Sequence, residues 1–296
     1  MTNIGEDELL ARIVEWARAD ANVLALVMTG SRARGDGSVD EFSDFDLEII
    51  AERPEALIRD DAWLRRFERV WVCLPTIKSP RYETRLVFYE GGYKVDFSLC
   101  GAERVGEMAE AGALDDLYER GYRVLLDKAG ISERLPMSTG KFPTKQLPGQ
   151  HEFAAAVEEF WFEAAHIPRY LLRDGLWVVK FRDWTMKSLL LKMIEWHAVA
   201  RSQQPVDVWH IGVHMKAWVD EETWDELQAV FSRFDRQASW DGLLATTRLF
   251  RRLGTETASL SGLEYPANAD ASITGYLAGF ASRIDAAGSN ADAANP

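Results

Sequence analysis

The chain has 296 residues, 47% hydrophobic and 27% charged, a balance that excludes disorder throughout and leaves room for two ordinary domains. Its net charge of −13 argues against a protein whose main task is gripping phosphate backbones, because that affinity comes from Lys and Arg, and suits a cationic partner better. The start is acidic and the apolar runs are short and interrupted, so neither a signal peptide nor a membrane span is expected, and a cytoplasmic location is.

Leu9, Leu10, Ile13 and Trp16 recur at helical spacing and predict a helix from Glu6 to Ala19. Residues 22–30, NVLALVMTG, then predict a buried strand ended by glycine. After a basic, glycine-bearing loop, FDLEII at 45–50 predicts a second strand, and 54–67 a helix opened by Pro54. Two apolar runs around Gly91-Gly92 predict a hairpin over 85–100; residues 103–121 read as helix and YRVLLDK, 122–128, as a last strand. Strands mixed with helices point to a mixed sheet. Residues 131–150 hold three prolines, two glycines and no periodicity, and predict a linker, placed at 133–149 between a first domain at 1–132 and a second at 150–285. The second domain is helical in pattern throughout, over 152–175, 176–202, 220–234 and 239–259. The small, polar end, 286–296, reads as a loose tail. The fold class expected is therefore α+β, a mixed-sheet domain followed by an all-helical bundle.

The chemistry concentrates between Gly30 and Asp96. A strand ending in Gly30-Ser31 can bring backbone N–H groups close to a phosphate, because glycine has no side chain to block the approach. Twelve residues separate Ser31 from Asp44, and Asp44-Phe45-Asp46 then sets two carboxylates on the same side of a strand, since side chains alternate with period two. Two acids so close repel unless a cation lies between them, and hard oxygen ligands point to Mg²⁺ shared with substrate phosphates. Asp96, flanked by Val95 and Phe97, repeats the pattern of an acid in an apolar strand. Three carboxylates from two strands can hold two metal ions, one activating a hydroxyl and one holding a triphosphate, which is the arrangement for nucleotidyl transfer.

These residues resemble a family. TGSRARGDGSVDEFSDFDLEI followed by KVDFSL looks like the polymerase-β-type nucleotidyltransferase signature. LLDK at 125–128, EFW at 159–161, Met193 with Trp196-His197, and LF then YP near Phe250 and Pro266 extend the likeness to the aminoglycoside 6-adenylyltransferases, the streptomycin-modifying group, over nearly the whole chain. The resemblance implies a nucleotidyltransferase domain, then a helical substrate-binding domain, with ATP and Mg²⁺ on the sheet and the aminoglycoside in the cleft between them. Carried over by position, Asp44 and Asp46 become metal ligands and Asp96 a third ligand or the general base. Gly30 and Ser31 would hold terminal phosphates, with Arg32 as a charge partner. The chain departs from the pattern at Ala33-Arg34, where a Thr-Asn pair is common, and at Gly212-Val213, where Gly-Lys is.

Each of the remaining candidates has a structural reading beside a functional one. Lys94 and Lys128 either neutralise phosphate or are solvated lysines beside strands. Trp161 and Trp196 either touch the acceptor or fill the core. Glu159, Asp183 and Glu195 either bind a polycationic substrate or form a wet helix face. Glu48 is accessory or structural, His197 reads as a hydrogen-bonded structural residue, Cys73 and Cys100 as buried thiols, and no histidine has zinc spacing. The expected activity is Mg²⁺-dependent transfer of AMP from ATP to a hydroxyl of an aminoglycoside, streptomycin first, with antibiotic inactivation as the outcome. The alternatives are a lincosamide, another metabolite or a protein hydroxyl as acceptor, or a non-catalytic nucleotide-binding module. Neither nucleic acid nor membrane is expected as a partner, and oligomeric state is left open.

Overall fold

A computed structural model describes residues 5–79, 82–284 and 286. The expected tail, 286–296, lies outside the described residues apart from residue 286. The chain divides into two compact units between Pro143 and Thr144. Among the described residues no helix is long and apolar enough to cross a membrane.

In the first unit α1 (Glu6–Ala19) leads into β1 (Val23–Thr29), a one-turn α2 (Ser31–Arg34) and β2 (Phe45–Ala51). Then come α3 (Pro54–Arg59), β3 (Val70–Ser79), β4 (Tyr82–Tyr89), β5 (Lys94–Cys100), α4 (Glu103–Ala111), α5 (Asp116–Glu119) and β6 (Arg123–Asp127). The strands form one sheet in the order β3-β4-β5-β2-β1-β6. Among the described residues the β2–β5 pairing is parallel and the other four pairings are antiparallel, so the sheet is mixed. β2 and β1 are interior strands buried along nearly their whole length, which is why both read as nearly continuous apolar runs.

Odd-numbered residues of β2 and β5, Phe45, Leu47, Ile49, Val95, Phe97 and Leu99, enter a large core with Leu9, Ile13 and Trp16 of α1. Trp16 stacks on Trp63 at 5.1 Å, and Trp63 meets Phe97 edge-on at 5.0 Å. The even-numbered face is covered toward the strand ends, where Ile50 and Cys100 pack against Val105 and Met108 of α4 and Tyr118 of α5. Its other end, the start of β2 and β5, carries the acids.

Several boundaries differ from the sequence reading. The helix expected over 54–67 breaks at Asp60, which has extended dihedrals and whose side chain accepts from Ala62 N to start a short 3-10 turn, Asp61–Arg66. The one expected over 103–121 ends at Gly112, left-handed at φ 60°, and restarts at the Asp115 cap. β3 was not assigned from the sequence: Trp71, Val72 and Leu74 are exposed, so the strand lacks an alternating pattern.

The second unit contains α6 (Gln150–Leu172), α7 (Leu176–Arg201), α8 (Met215–Trp218), α9 (Glu221–Leu227), α10 (Arg236–Ser261) and α11 (Ala267–Ala278). α6 and α10 both pack on α7, and they meet each other through Phe160 and Phe250, whose rings are parallel at 3.6 Å. α11 was also missed, because its small-residue sequence ANADASITGYLA has a weak apolar stripe.

Candidate active site

β1 delivers the chain to Gly30, whose backbone (φ 69°, ψ −160°) lies in a region essentially reserved for glycine. A Cβ there would overlap the Oδ2 of Asp46, so the residue is small because a carboxylate lies against it. β1 and β2 pair with Thr29 opposite Asp46, and β2 and β5 pair with Asp46 opposite Asp96. The parallel register therefore places two acids side by side on one face, and Asp44, two residues before Asp46, adds a third. One oxygen from each of Asp44, Asp46 and Asp96 lies within 4.8 Å of the others, a spacing that can hold a metal ion.

Lys94 lies on the same face of β5, two residues before Asp96. Its Nζ donates to Asp44 Oδ2 at 2.5 Å and to Asp96 Oδ2 at 2.9 Å. Burial alone would lower the ammonium's pKa, but the hydrogen bonds and charges of the two aspartates outweigh it and raise it above its ordinary value. Asp96 Oδ1 is buried with no hydrogen-bond partner. Such an orphaned oxygen costs free energy unless something arrives to use it. An orphaned oxygen, a lysine serving as local cation and an all-carboxylate donor set fit a hard divalent ion.

Arg32 is placed differently from the phosphate partner suggested by the motif. Its Nε and Nη2 donate to the Ser43 carbonyl at 3.0 and 2.7 Å, Nε also reaches the Asp44 carbonyl at 3.1 Å, and Nη2 reaches Glu6 at 2.8 Å. The guanidinium lies over the Phe45 ring at 4.1 Å. It ties the backbone that carries Asp44 to α1 and α2, a brace through Glu6 that sequence reasoning missed because nothing in the spacing of residues 6 and 32 announces it. Lys128 is also structural in placement: its ammonium donates to the carbonyls of Ala17, Arg18 and Asp20 at the end of α1. Ser31 opens α2 beside Gly30, partly exposed.

Glu48, one alternation beyond Asp46, is buried. It accepts from Tyr118 Oη at 2.7 Å and from Arg104 Nη2 at 3.4 Å, and Arg104 also pairs with Asp115 at 2.6 Å. Burial pushes its pKa up, against the pull of Arg104 and Tyr118. This network anchors α4 and α5 under the site, a role that fits the structural reading.

In the helical unit the nominated residues separate. Trp161 and Trp196 are core: Trp161 Nε1 donates to Tyr265 Oη at 3.2 Å, and Trp196 is buried beside Phe153. Their helical spacing reflects packing, which competes with the acceptor role. Glu195 is buried and ion-paired with Lys145, and Asp183 is paired at 2.6 Å with the buried Lys187, whose pKa burial lowers. Glu159 faces solvent on α6. His197 is buried and hydrogen-bonded to Glu256 at 2.7 Å, as a structural histidine would be. A cleft of ≈ 730 Å³ lined by Arg201, Asp207, His214, Trp218 and Asp220 includes none of the nominated acids, and Asp220 there is held by Arg201 at 2.6 Å.

A family model described as streptomycin adenylyltransferase matches residues 5–280. An aminoglycoside 6-adenylyltransferase of Campylobacter jejuni is 24% identical over 279 residues, 92% of this chain and 94% of that protein. One of Bacillus subtilis (strain 168) is 24% identical over 284 residues, 93% of this chain and 97% of that protein. A crystal structure of an aminoglycoside 6-adenyltransferase from Bacillus subtilis, 20% identical, covers 94% of this chain and 99% of its own at a TM-score of 0.44.

Proposed function

The chain belongs to the streptomycin adenylyltransferase family, and on that premise we propose that it moves AMP from ATP to a hydroxyl of an aminoglycoside, with streptomycin as the acceptor, and releases pyrophosphate. The observation that carries the reading is the convergence of Asp44, Asp46 and Asp96 within 4.8 Å beside a glycine that must lack a Cβ. Asp44, Asp46 and Asp96 would hold Mg²⁺, which when bound supplies Lewis acidity for the phosphoryl oxygens and charge neutralisation for the leaving pyrophosphate.

The chain's own residues do the rest. Gly30 lets the backbone approach the terminal phosphates without a side chain in between, and Ser31 offers its hydroxyl and backbone N–H as donors. Arg32 holds the Ser43 and Asp44 carbonyls, and so fixes Asp44 rather than touching phosphate itself. The Asp96 carboxylate is the acceptor for the proton of the attacking hydroxyl. Glu159, solvent-facing, is the acid we assign to an ammonium of the acceptor, whereas Glu195 and Asp183 already have lysine partners. The acidic chain favours a cationic acceptor over a polyanion. Domain roles follow: nucleotide chemistry in the unit ending at Pro143 and acceptor recognition in the helical unit.

The test is incubation with labelled ATP, Mg²⁺ and a panel of streptomycin, spectinomycin, kanamycin and lincomycin, followed by mass spectrometry. A streptomycin adduct heavier by one AMP is expected. Adducts only on lincomycin or on protein would keep the chemistry and remove the acceptor assignment; no adduct with any acceptor would remove the reading altogether.

A further inference from the structure

Three carboxylates within 4.8 Å repel one another, so a folded chain without metal needs some other positive charge there. β5 supplies it. Period-two alternation puts Lys94 on the face of Asp96, and the β2–β5 register brings Asp44 within its reach, so one ammonium bridges acids from two strands at 2.5 and 2.9 Å. The oxygens it occupies, Asp44 Oδ2 and Asp96 Oδ2, belong to the carboxylates a divalent ion needs. A divalent ion entering among these carboxylates meets the like charge of the ammonium and competes with it for Asp44 and Asp96, so the half-buried ammonium loses counter-charge as the metal gains it.

We propose that Lys94 is the resident counter-ion of this site, excluding a divalent ion until a nucleoside triphosphate arrives to accept the displaced ammonium. Resting on the metal and nucleotide reading above, this makes Lys94 a positioning residue with two states: bridging Asp44 and Asp96 in the empty site, and turned toward phosphate oxygens in the loaded one. Metal and nucleotide then bind with positive cooperativity, because each removes part of the cost of the other. A lysine suits the task better than an arginine, since its single charge sits on a flexible stem and its hydrogen bonds have no fixed plane.

The experiment is calorimetric titration of Mn²⁺ into the metal-free full chain, with and without a non-hydrolysable ATP analogue, for the wild type and Lys94→Met. Lys94→Met is expected to bind Mn²⁺ alone about tenfold more tightly than the wild type, and the analogue to improve its affinity far less. The metal-free variant should also melt below the wild type, with Mn²⁺ closing the difference. Equal Mn²⁺ affinity of the two proteins without nucleotide overturns the inference. Should metal-free Lys94→Met prove unfolded, the same ratio measured on Lys94→Gln decides. If the wild type takes up no Mn²⁺ even with the analogue present, the metal reading itself fails, an outcome distinct from equal binding by both proteins.

Discussion

Replacing Gly30 with alanine tests the geometry of the candidate active site most directly. Two costs can be worked from the structure. The backbone, at φ 69° and ψ −160°, lies where only glycine is comfortable, so alanine carries about 1–3 kcal/mol of strain. For a unit of this size that lowers the melting temperature by roughly 3–10 °C. The second cost is local: the new Cβ meets Asp46 Oδ2 and stands 2.9 Å from its Cγ, so the carboxylate must move. A displacement of about 1 Å in a catalytic group costs on the order of 10²-fold in rate. Gly35→Ala is the control, since Gly35 is also left-handed at φ 66° but has open space where its Cβ would go. It should lose about 1–2 kcal/mol of stability and keep its activity. Pyrophosphate release under steady-state conditions gives kcat/KM, and differential scanning calorimetry gives the melting temperature. A folded Gly30→Ala protein with kcat/KM within twofold of the wild type would refute the placement of Asp46 against that glycine.

Three further outcomes are expected. Lys128→Met should destabilise the first unit by about 1–2 kcal/mol, because three carbonyls at the end of α1 lose their donor, while leaving KM for ATP unchanged; a tenfold rise in that KM at unchanged stability would restore the phosphate role. Trp196→Ala should cost about 3–5 kcal/mol in thermal or urea unfolding of the helical unit, as a buried core ring does, whereas Glu159→Gln should leave stability unchanged and raise KM for the acceptor. The helical unit should also lose stability in acid in two stages. Burial holds His197 below its ordinary 6.5, outweighing Glu256, so the unfolded chain takes up that proton first and stability falls as pH drops below about 6.5. Burial alone would raise Asp270, but hydrogen bonds from Arg251, Tyr265 and Thr274 hold it below its ordinary 3.8, so its contribution is present above that pH and is lost as pH falls further. Melting curves of His197→Gln between pH 7 and 3 should lack the first stage and keep the second; an unchanged first stage would show that another group causes it.

The sequence by itself determined whatever depends on near neighbours. Alternation along a strand puts Asp44 with Asp46, and Lys94 with Asp96, on common faces without any knowledge of the fold. The glycine after β1, the helical periodicity of α6, α7 and α10, and the Pro- and Gly-rich stretch at 131–150 were legible for the same reason, since each is a property of adjacent residues. Only the tertiary structure decided which face meets which. That Asp46 lies opposite Asp96 follows from the parallel register of β2 and β5, strands separated in sequence by β3 and β4. The same holds for side chains whose chemistry allows several roles. Arg32 and Lys128 are cations suited to phosphate, yet backbone carbonyls hold both; Lys94, suited equally well, lies between the acids. Trp161 and Trp196 have the composition of a binding surface and the burial of a core. A charge or a ring is a local fact, but its partner is set by chain segments folded against it from far away, and periodicity carries no record of them.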